Sequence, residues 1–314
     1  MTKAFEESLS LFKDKISDCI KSKKSISITT HIDCDGLTSG SIIAKALIRE
    51  GAKYTLRTSK EFSKNVVESF KTDSRDFHII TDLGGGFGKD LNQTLGDNWI
   101  ILDHHQISEE EKDNQNIINA WKYEIDGGTE ISAGGMAYFA ATALNEKNSD
   151  LSEIAIVSAL GDRQDQGDRK SFTGKNFEIA NTAKELGLVD IDLDLLLVGR
   201  ETRPLAEALA FTSQPFIEGL TWNKETCLSV LNSAGIQLKE EGRWRVPAEL
   251  NEDEKKAVIE SITKFSSDKN TSEIMSELIG YTYTFPKEDK RSFLRDGREY
   301  STMLNSCGRI NRSG

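Results

Sequence analysis

Residues 26–40, ISITTHIDCDGLTSG, decide how the chain is read. Ile26 and Ile28 alternate with small hydroxyl residues, which predicts a short strand. His31, Asp33 and Asp35 follow at every second position. From Gly36 the pattern changes: Leu37, Ile42, Ile43, Ala46 and Leu47 fall at helical spacing and predict a helix over 37–50. Three metal-ligand side chains therefore sit at a strand-to-helix junction. In an open α/β sheet that junction, at the carboxyl end of a strand, is where ligands bind.

The flanking sequence repeats the arrangement. Residues 1–20 read as an amphipathic helix through Phe5, Leu9, Phe12 and Ile16. AKYTLRT (52–58) predicts a second strand and 61–70 a helix. FHIITD (77–82) predicts a third strand that delivers Asp82 and runs into Gly84-Gly85-Gly86. WIIL (99–102) predicts a fourth, which runs straight into Asp103-His104-His105. Helices are expected over 133–145 and 152–160, the second ending at Gly161-Asp162. Alternating strand and helix implies α/β architecture, a largely parallel sheet with helices on both faces. Beyond about 195 longer helical patterns appear, interrupted by Pro204, Pro215 and Pro247, and YTYTF (281–285) is a possible strand. The expected division is 1–195 for the sheet domain, 196–290 for a helical connector and 291–314 for the start of a smaller α/β domain.

Composition narrows the function. Four cysteines, at 19, 34, 227 and 307, form no C-x-x-C pair, which argues against structural zinc and a disulfide framework. Cys34 reads as a small residue filling its slot. Lysine plus arginine number 40 against 51 acids, a net charge of −11, so a nucleic acid would have to be held in a local groove. No run approaches the ~18 apolar residues of a membrane span. The charged, amphipathic start is unlike a signal peptide, so no membrane role and a cytoplasmic location are expected.

Taken together, the strand ends deliver His31, Asp33, Asp35, Asp82, Asp103, His104 and His105, and the loop after a buried helix delivers Asp162. Three of the four histidines fall in this set. The fourth, His78, reads as a packed or partly exposed imidazole. So many carboxylates and imidazoles suit two divalent ions sharing a bridging carboxylate, the clamp used for attack at phosphorus. Without cations they would repel and some would stay protonated. Mixed oxygen and nitrogen donors suit Mn²⁺, with Mg²⁺ as the alternative, better than Ca²⁺.

HIDCDG (31–36), ITDLGG (80–85), LDHH (102–105) and ALGD (159–162), in that order, resemble the four motifs of the DHH phosphoesterase superfamily. That superfamily includes RecJ-type exonucleases, oligonucleotide and cyclic-dinucleotide phosphodiesterases and manganese-dependent pyrophosphatases. RPLAEALAFTSQPFIEGLT (203–221), GRWRVPAELNEDEK (242–255) and LNSCGR (304–309) resemble archaeal RecJ-like nucleases that associate with the GINS replication complex. The resemblance implies a nuclease on single-stranded DNA or RNA in replication or repair. The same motifs would serve an oligonucleotide or cyclic-dinucleotide phosphodiesterase; a replisome scaffold that has lost catalysis is a third alternative, and the filled ligand positions argue against it. It implies one ion on His31, Asp33 and Asp82 and another on Asp35, Asp82, His104 and Asp162. His105 would face the scissile phosphate, and Asp103 would orient a ligand histidine. Arg309 would lie near the substrate path. Arg163, following the fourth motif, is a candidate for a nucleic-acid backbone, whereas Asp165 and Asp168 read as loop acids. Members usually carry a C-terminal DHH-associated domain, and this chain is expected to stop inside its start.

Overall fold

A computed structural model describes residues 3–266, 271–310 and 312. The elements come in the order α1 (Lys3–Lys21), β1 (Ser25–His31), α2 (Cys34–Arg49), β2 (Lys53–Ser59), α3 (Lys64–Ser69), β3 (Phe77–Thr81), α4 (Gly88–Leu95), β4 (Trp99–Asp103), β5 (Ile117–Asn119), α5 (Ala133–Leu144), α6 (Ser152–Gly161) and α7 (Gly174–Glu185). The chain continues through β6 (Asp190–Leu195), α8 (Leu205–Phe211), α9 (Lys224–Ser233), β7 (Lys239–Glu240), β8 (Arg243–Trp244), α10 (Glu252–Phe265), α11 (Thr271–Leu278), β9 (Ile279–Thr284) and α12 (Gly297–Arg309).

The chain divides into two compact units. One holds Met1–Gln166, Phe172–Leu188 and Ser301–Gly314; the other holds Gly167–Ser171 and Val189–Tyr300. Residues 196–290, expected as a helical connector, thus lie in the second unit together with β6. Of the expected C-terminal segment, residues from 301 onward pack with the first unit.

The first unit is built on a parallel sheet in the order β2-β1-β3-β4-β5, the α/β class expected. The chain leaves β1 towards β2 and later returns on the other side of β1 as β3. That reversal opens a crevice between the carboxyl ends of β1 and β3. Register then aligns the chemistry. Thr30 is paired with Thr81, and Thr81 with Leu102. The next residue on each strand, His31, Asp82 and Asp103, therefore leaves the sheet side by side.

β3, β4 and β5 are buried on both faces, as a covered parallel sheet requires, whereas β2 is a polar edge strand. Ile80, Ile101 and Ile117 pack with Val67, Phe70, Leu91 and Trp99 on one side. Successive residues point oppositely, so Ile79 and Ile100 face the side of α2 and α5, both fully buried. Helix α1 buries Phe5, Leu9, Phe12 and Ile16, the stripe read from sequence. His78 is buried against the Phe70 ring at 4.7 Å, a packed imidazole rather than a partly exposed one.

Two boundaries differ from expectation. Helix α2 starts at Cys34, not Leu37, because the Asp33 side chain accepts a hydrogen bond from Gly36 N at 3.0 Å and caps the helix. Helix α3 starts at Lys64 rather than near 61. The second unit has its own core of Leu205, Leu209, Leu231, Val258, Ile262 and Leu278. Its antiparallel pair β6–β9 takes in YTYT of the expected strand, starting at Ile279, and adds a partner, DIDLDL, whose alternation of acids and aliphatics is itself a strand signal.

Phe12 is 1% exposed in the face that α1 buries. Phe12→Ala is expected to lower the unfolding free energy by about 3–5 kcal/mol, measured by urea denaturation. A loss below about 1 kcal/mol would mean that α1 contributes little to the core.

Candidate metal centre

The β1–α2 turn places two carboxylates by local rules. Asp33 is spent partly on capping α2, and its other oxygen lies 2.8 Å from His31 Nδ1. Asp35 falls in the first turn of α2, where side chains lean towards the helix start. It is buried and meets a second helix: Asp35 accepts from Ala133 N at 2.9 Å and Gly134 N at 3.0 Å, the opening amides of α5. The Ser158 hydroxyl donates to the same carboxylate. A helix N-terminus favours negative charge. Burial pushes the Asp35 pKa up, but His104, Ser158 and the Gly134 amide outweigh it and hold it below the usual aspartate range.

Asp82 stands one residue past β3 with φ of +62°, a left-handed backbone that aspartate tolerates better than most residues. Its side chain is buried and its two oxygens face different neighbours. Oδ2 lies 3.7 Å from His31 Nδ1; Oδ1 lies 3.4 Å from His104 Nε2 and 3.8 Å from His105 Nδ1. Burial and the charge of Asp35 push its pKa well above the usual value.

His104 is buried, with Nε2 3.2 Å from Asp35 Oδ2 and Nδ1 2.6 Å from the Gly127 carbonyl. Burial depresses its pKa, yet hydrogen bonds to Asp35 and Asp82 raise it well above the ordinary imidazole value overall. Asp162 caps the end of α6, 3.9 Å from His104 Nδ1. Burial and the charge of Asp35 lift it to about 6. His105 is more open, its Nδ1 held by Asp103 Oδ1 at 2.9 Å, and that hydrogen bond raises its pKa.

Three sets of donors come within ligand distance of one another: His31, Asp33 and Asp82; Asp35, His104 and Asp162; and Asp82, His104 and His105. Each could hold a metal ion. The donor set fits one. With Nδ1 tied to the Gly127 carbonyl, a neutral His104 presents its Nε2 lone pair to the cluster, the usual support for a ligand histidine. Every metal ligand expected from sequence is in these groups. Asp103 is on hand but serves His105: its Oδ1 accepts from His105 Nδ1 and from the backbone amides of His104 and His105 at 2.8 and 3.2 Å. Asp165 and Asp168 are in none of the groups found among the described residues. Arg163 and Arg309 are exposed. The glycine run is a turn, with Gly84 at φ +87°, and a Cβ on Gly85 would come 2.8 Å from Asp103 Oδ2.

Sequence reasoning missed the groups that hold the ligands. Ser132 caps α5 and donates to Ser158 Oγ at 3.0 Å; a hydroxyl ahead of the apolar helix was a readable cap signal. Asn305 Oδ1 accepts from Cys34 N at 2.9 Å, and Gly308 lies so close to Ile32 O that a Cβ would be 1.8 Å away. Gly127, whose added Cβ would meet His104 O at 1.7 Å, and the buried Gln164 carry no such signal.

A doubly wound sheet with three overlapping carboxylate–imidazole groups at its switch point is the class of protein this geometry defines. Residues 25–161 match the model of the DHH family N-terminal domain, and residues 197–279 match the DHH-CID domain. Over these two stretches the chain is similar to DHH-family domains, and its parallel α/β sheet is the fold expected of them. It is 29% identical over 310 residues to an uncharacterized protein of Methanocaldococcus jannaschii, covering 94% of this chain and 65% of that one. CDC45 from Entamoeba histolytica is similar in structure, with a TM-score of 0.65 and 16% identity over 95% of this chain and 62% of that one. RecJ from Thermus thermophilus, solved with Mn²⁺, gives a TM-score of 0.47 at 14% identity over 99% of this chain and 38% of that one. The chain thus spans less than two thirds of each of these proteins. Among the described residues no helix is long and apolar enough to cross a membrane.

The raised groups predict an unusual pH response in metal-free protein. Asp162 binds its proton more tightly folded than unfolded, so between its ordinary value of 3.8 and about 6 folding takes up protons and stability falls as pH rises. Asp82 acts in the same direction. Divalent ions need these groups deprotonated, so their binding strengthens over the same range. Urea denaturation in chelator and in excess Mn²⁺, from about pH 4.5 to 7, is expected to give opposite slopes for this contribution. Asp162→Asn should flatten the chelator slope. Unchanged slopes in the variant would remove Asp162 from the coupled set.

Proposed function

We propose that this protein hydrolyses phosphodiesters at a centre of two divalent ions. The observation that carries the reading is Asp82, a buried carboxylate whose two oxygens face two separate groups of donors. That is the geometry a bridging ligand needs. Ions bound there would supply Lewis-acid activation of water and neutralise charge developing at phosphorus.

The protein's own residues divide the remaining work. His31 and Asp33, at the end of β1, make up one group with Asp82. Asp35, His104 and Asp162 make up the other, with Asp35 anchored on the α5 N-terminus. Asp103 fixes His105 through Nδ1, which leaves Nε2 for a phosphate oxygen, and the raised pKa favours the cationic ring there. His105 is the most open of the set, as a substrate-facing residue must be.

The finer reading is an exonuclease on single-stranded DNA or RNA that works in replication or repair. Mn²⁺ or a similar transition ion suits mixed carboxylate and imidazole donors better than Ca²⁺ does, and a GINS-type complex is the proposed partner. Support comes from the sequence likeness of 203–221, 242–255 and 304–309 to RecJ-like nucleases of that kind. The net charge of −11 favours, as a second reading, a short oligonucleotide or cyclic dinucleotide, because bulk attraction cannot retain a long polyanion.

Calorimetric titration of wild-type protein is expected to show two Mn²⁺ per chain and a raised melting temperature, which Asp35→Asn should diminish. Asp82→Asn should cut hydrolysis of an end-labelled strand by more than about 100-fold, since even residues that only orient ligands cost about 10- to 100-fold. Wild-type turnover in Asp82→Asn with both ions retained would sink the bridging role. Comparing a strand of about 20 nucleotides with a dinucleotide separates the two substrate readings, because only the longer one needs an extended groove.

A further inference from the structure

We infer that Gln164 is a positioning residue that locks Asp162 and His104 into one ligand group. The inference rests on the metal-centre reading above and assigns a role to a side chain outside the proposed ligands. Gln164 is completely buried two residues after Asp162. Its amide nitrogen lies 2.9 Å from Asp162 Oδ2, 2.8 Å from the Gly127 carbonyl and 3.1 Å from the Ile131 carbonyl. Three acceptors around one atom assign it as the NH₂ end, whose two hydrogens are divided among them.

The Gly127 carbonyl is the junction. It takes a hydrogen bond from Gln164 and is also the atom 2.6 Å from His104 Nδ1. One amide group therefore grips Asp162 directly and, through that carbonyl, the nitrogen that decides which side of His104 faces the cluster. Asp162 needs such a grip. Its side chain is 37% exposed, and it follows the last turn of α6 with nothing of the helix beyond it to hold it. Gln164 is itself tied from behind: its Oε1 accepts from Asn176 Nδ2 at 2.6 Å, and Asn176 is buried on α7. The chain of contacts runs from α7 through Asn176 and Gln164 to both ligands. Among the described residues, no hydrogen bond joins Gln164 to His31, Asp33 or Asp82. Loss of the grip should accordingly be selective for one of the two groups.

Gln164→Met keeps the length and bulk and removes both donors. Mn²⁺ titration of the variant should show one binding phase weakened about 10- to 100-fold, the range for residues that orient ligands, and the other unchanged. The phase that survives should be the one lost in Asp33→Asn. Hydrolysis should lose kcat with little change in KM. Asn176→Ala, which only loosens the back of Gln164, should shift the same phase by less. Circular dichroism melts in chelator report folding separately. Two phases of wild-type affinity in Gln164→Met would overturn the role. So would equal weakening of both phases with a lowered melting temperature, the signature of a merely structural residue. If wild-type protein itself binds no Mn²⁺, the metal reading fails and this role goes with it; if wild type binds two and the variant binds two as tightly, only the role of Gln164 fails.

Discussion

Charge crowding is the constraint on which the rest of the structure depends. Asp35 and Asp82 are both buried and share a single imidazole, His104, with Asp162 close by. Like charges so close, in a medium less polar than water, repel strongly. The fold answers with what it has: the N-terminus of α5, a serine hydroxyl and an imidazole all converge on Asp35. Asp82 receives less help and holds its proton tightly instead. A site arranged this way has a standing appetite for cations, and that appetite is the physical core of the metal reading. The sheet order makes the crowding unavoidable, because aligned register at the β1/β3 reversal sets the ends of three strands side by side.

Much of this could be read from the sequence. β1 is an alternation of isoleucines and hydroxyl residues, β3 and β4 are short mainly apolar runs, and all three stop at ligand-type residues, so both the strands and their ligand-bearing ends announce themselves. What stayed hidden was hidden for physical reasons. β5 is only three residues long, too short for periodicity to register. β6, DIDLDL, is by contrast legible, since its acids and aliphatics alternate at the period of a strand; only its partner, β9, needs coordinates. Asp33 reads as a ligand only, and its second task as a cap moves the start of α2. Asp103 is expected to orient a ligand histidine, and the histidine it holds is His105, the more exposed neighbour. Gln164 and Gly127 act through an amide and a backbone carbonyl. Contacts of that kind leave no residue pattern, and only coordinates bring them together.

The second unit stands on different physics. Its core is aliphatic and helical, with α8, α9 and α10 contributing Leu209, Leu231 and Val258. Partly buried ion pairs complete it: Asp194 meets Arg200 at 2.6 Å and Lys255 at 2.9 Å, and Arg245 meets Glu254 at 2.6 Å. None of the residues proposed for the chemistry lies in this unit.

The contact between Asn305 and the amide of Cys34 joins residues 271 positions apart. Residues 301 onward belong to the same compact unit as β1 and α2, and Gly308 packs on the backbone of Ile32. A chain emerging from the ribosome therefore exposes its His31–Asp35 loop long before the segment that steadies it has been made. Every other strand end at the crevice is complete by then. The first motif to be synthesised is the last to be secured, so the order of translation delays a finished cation-binding loop until almost all of these residues are present.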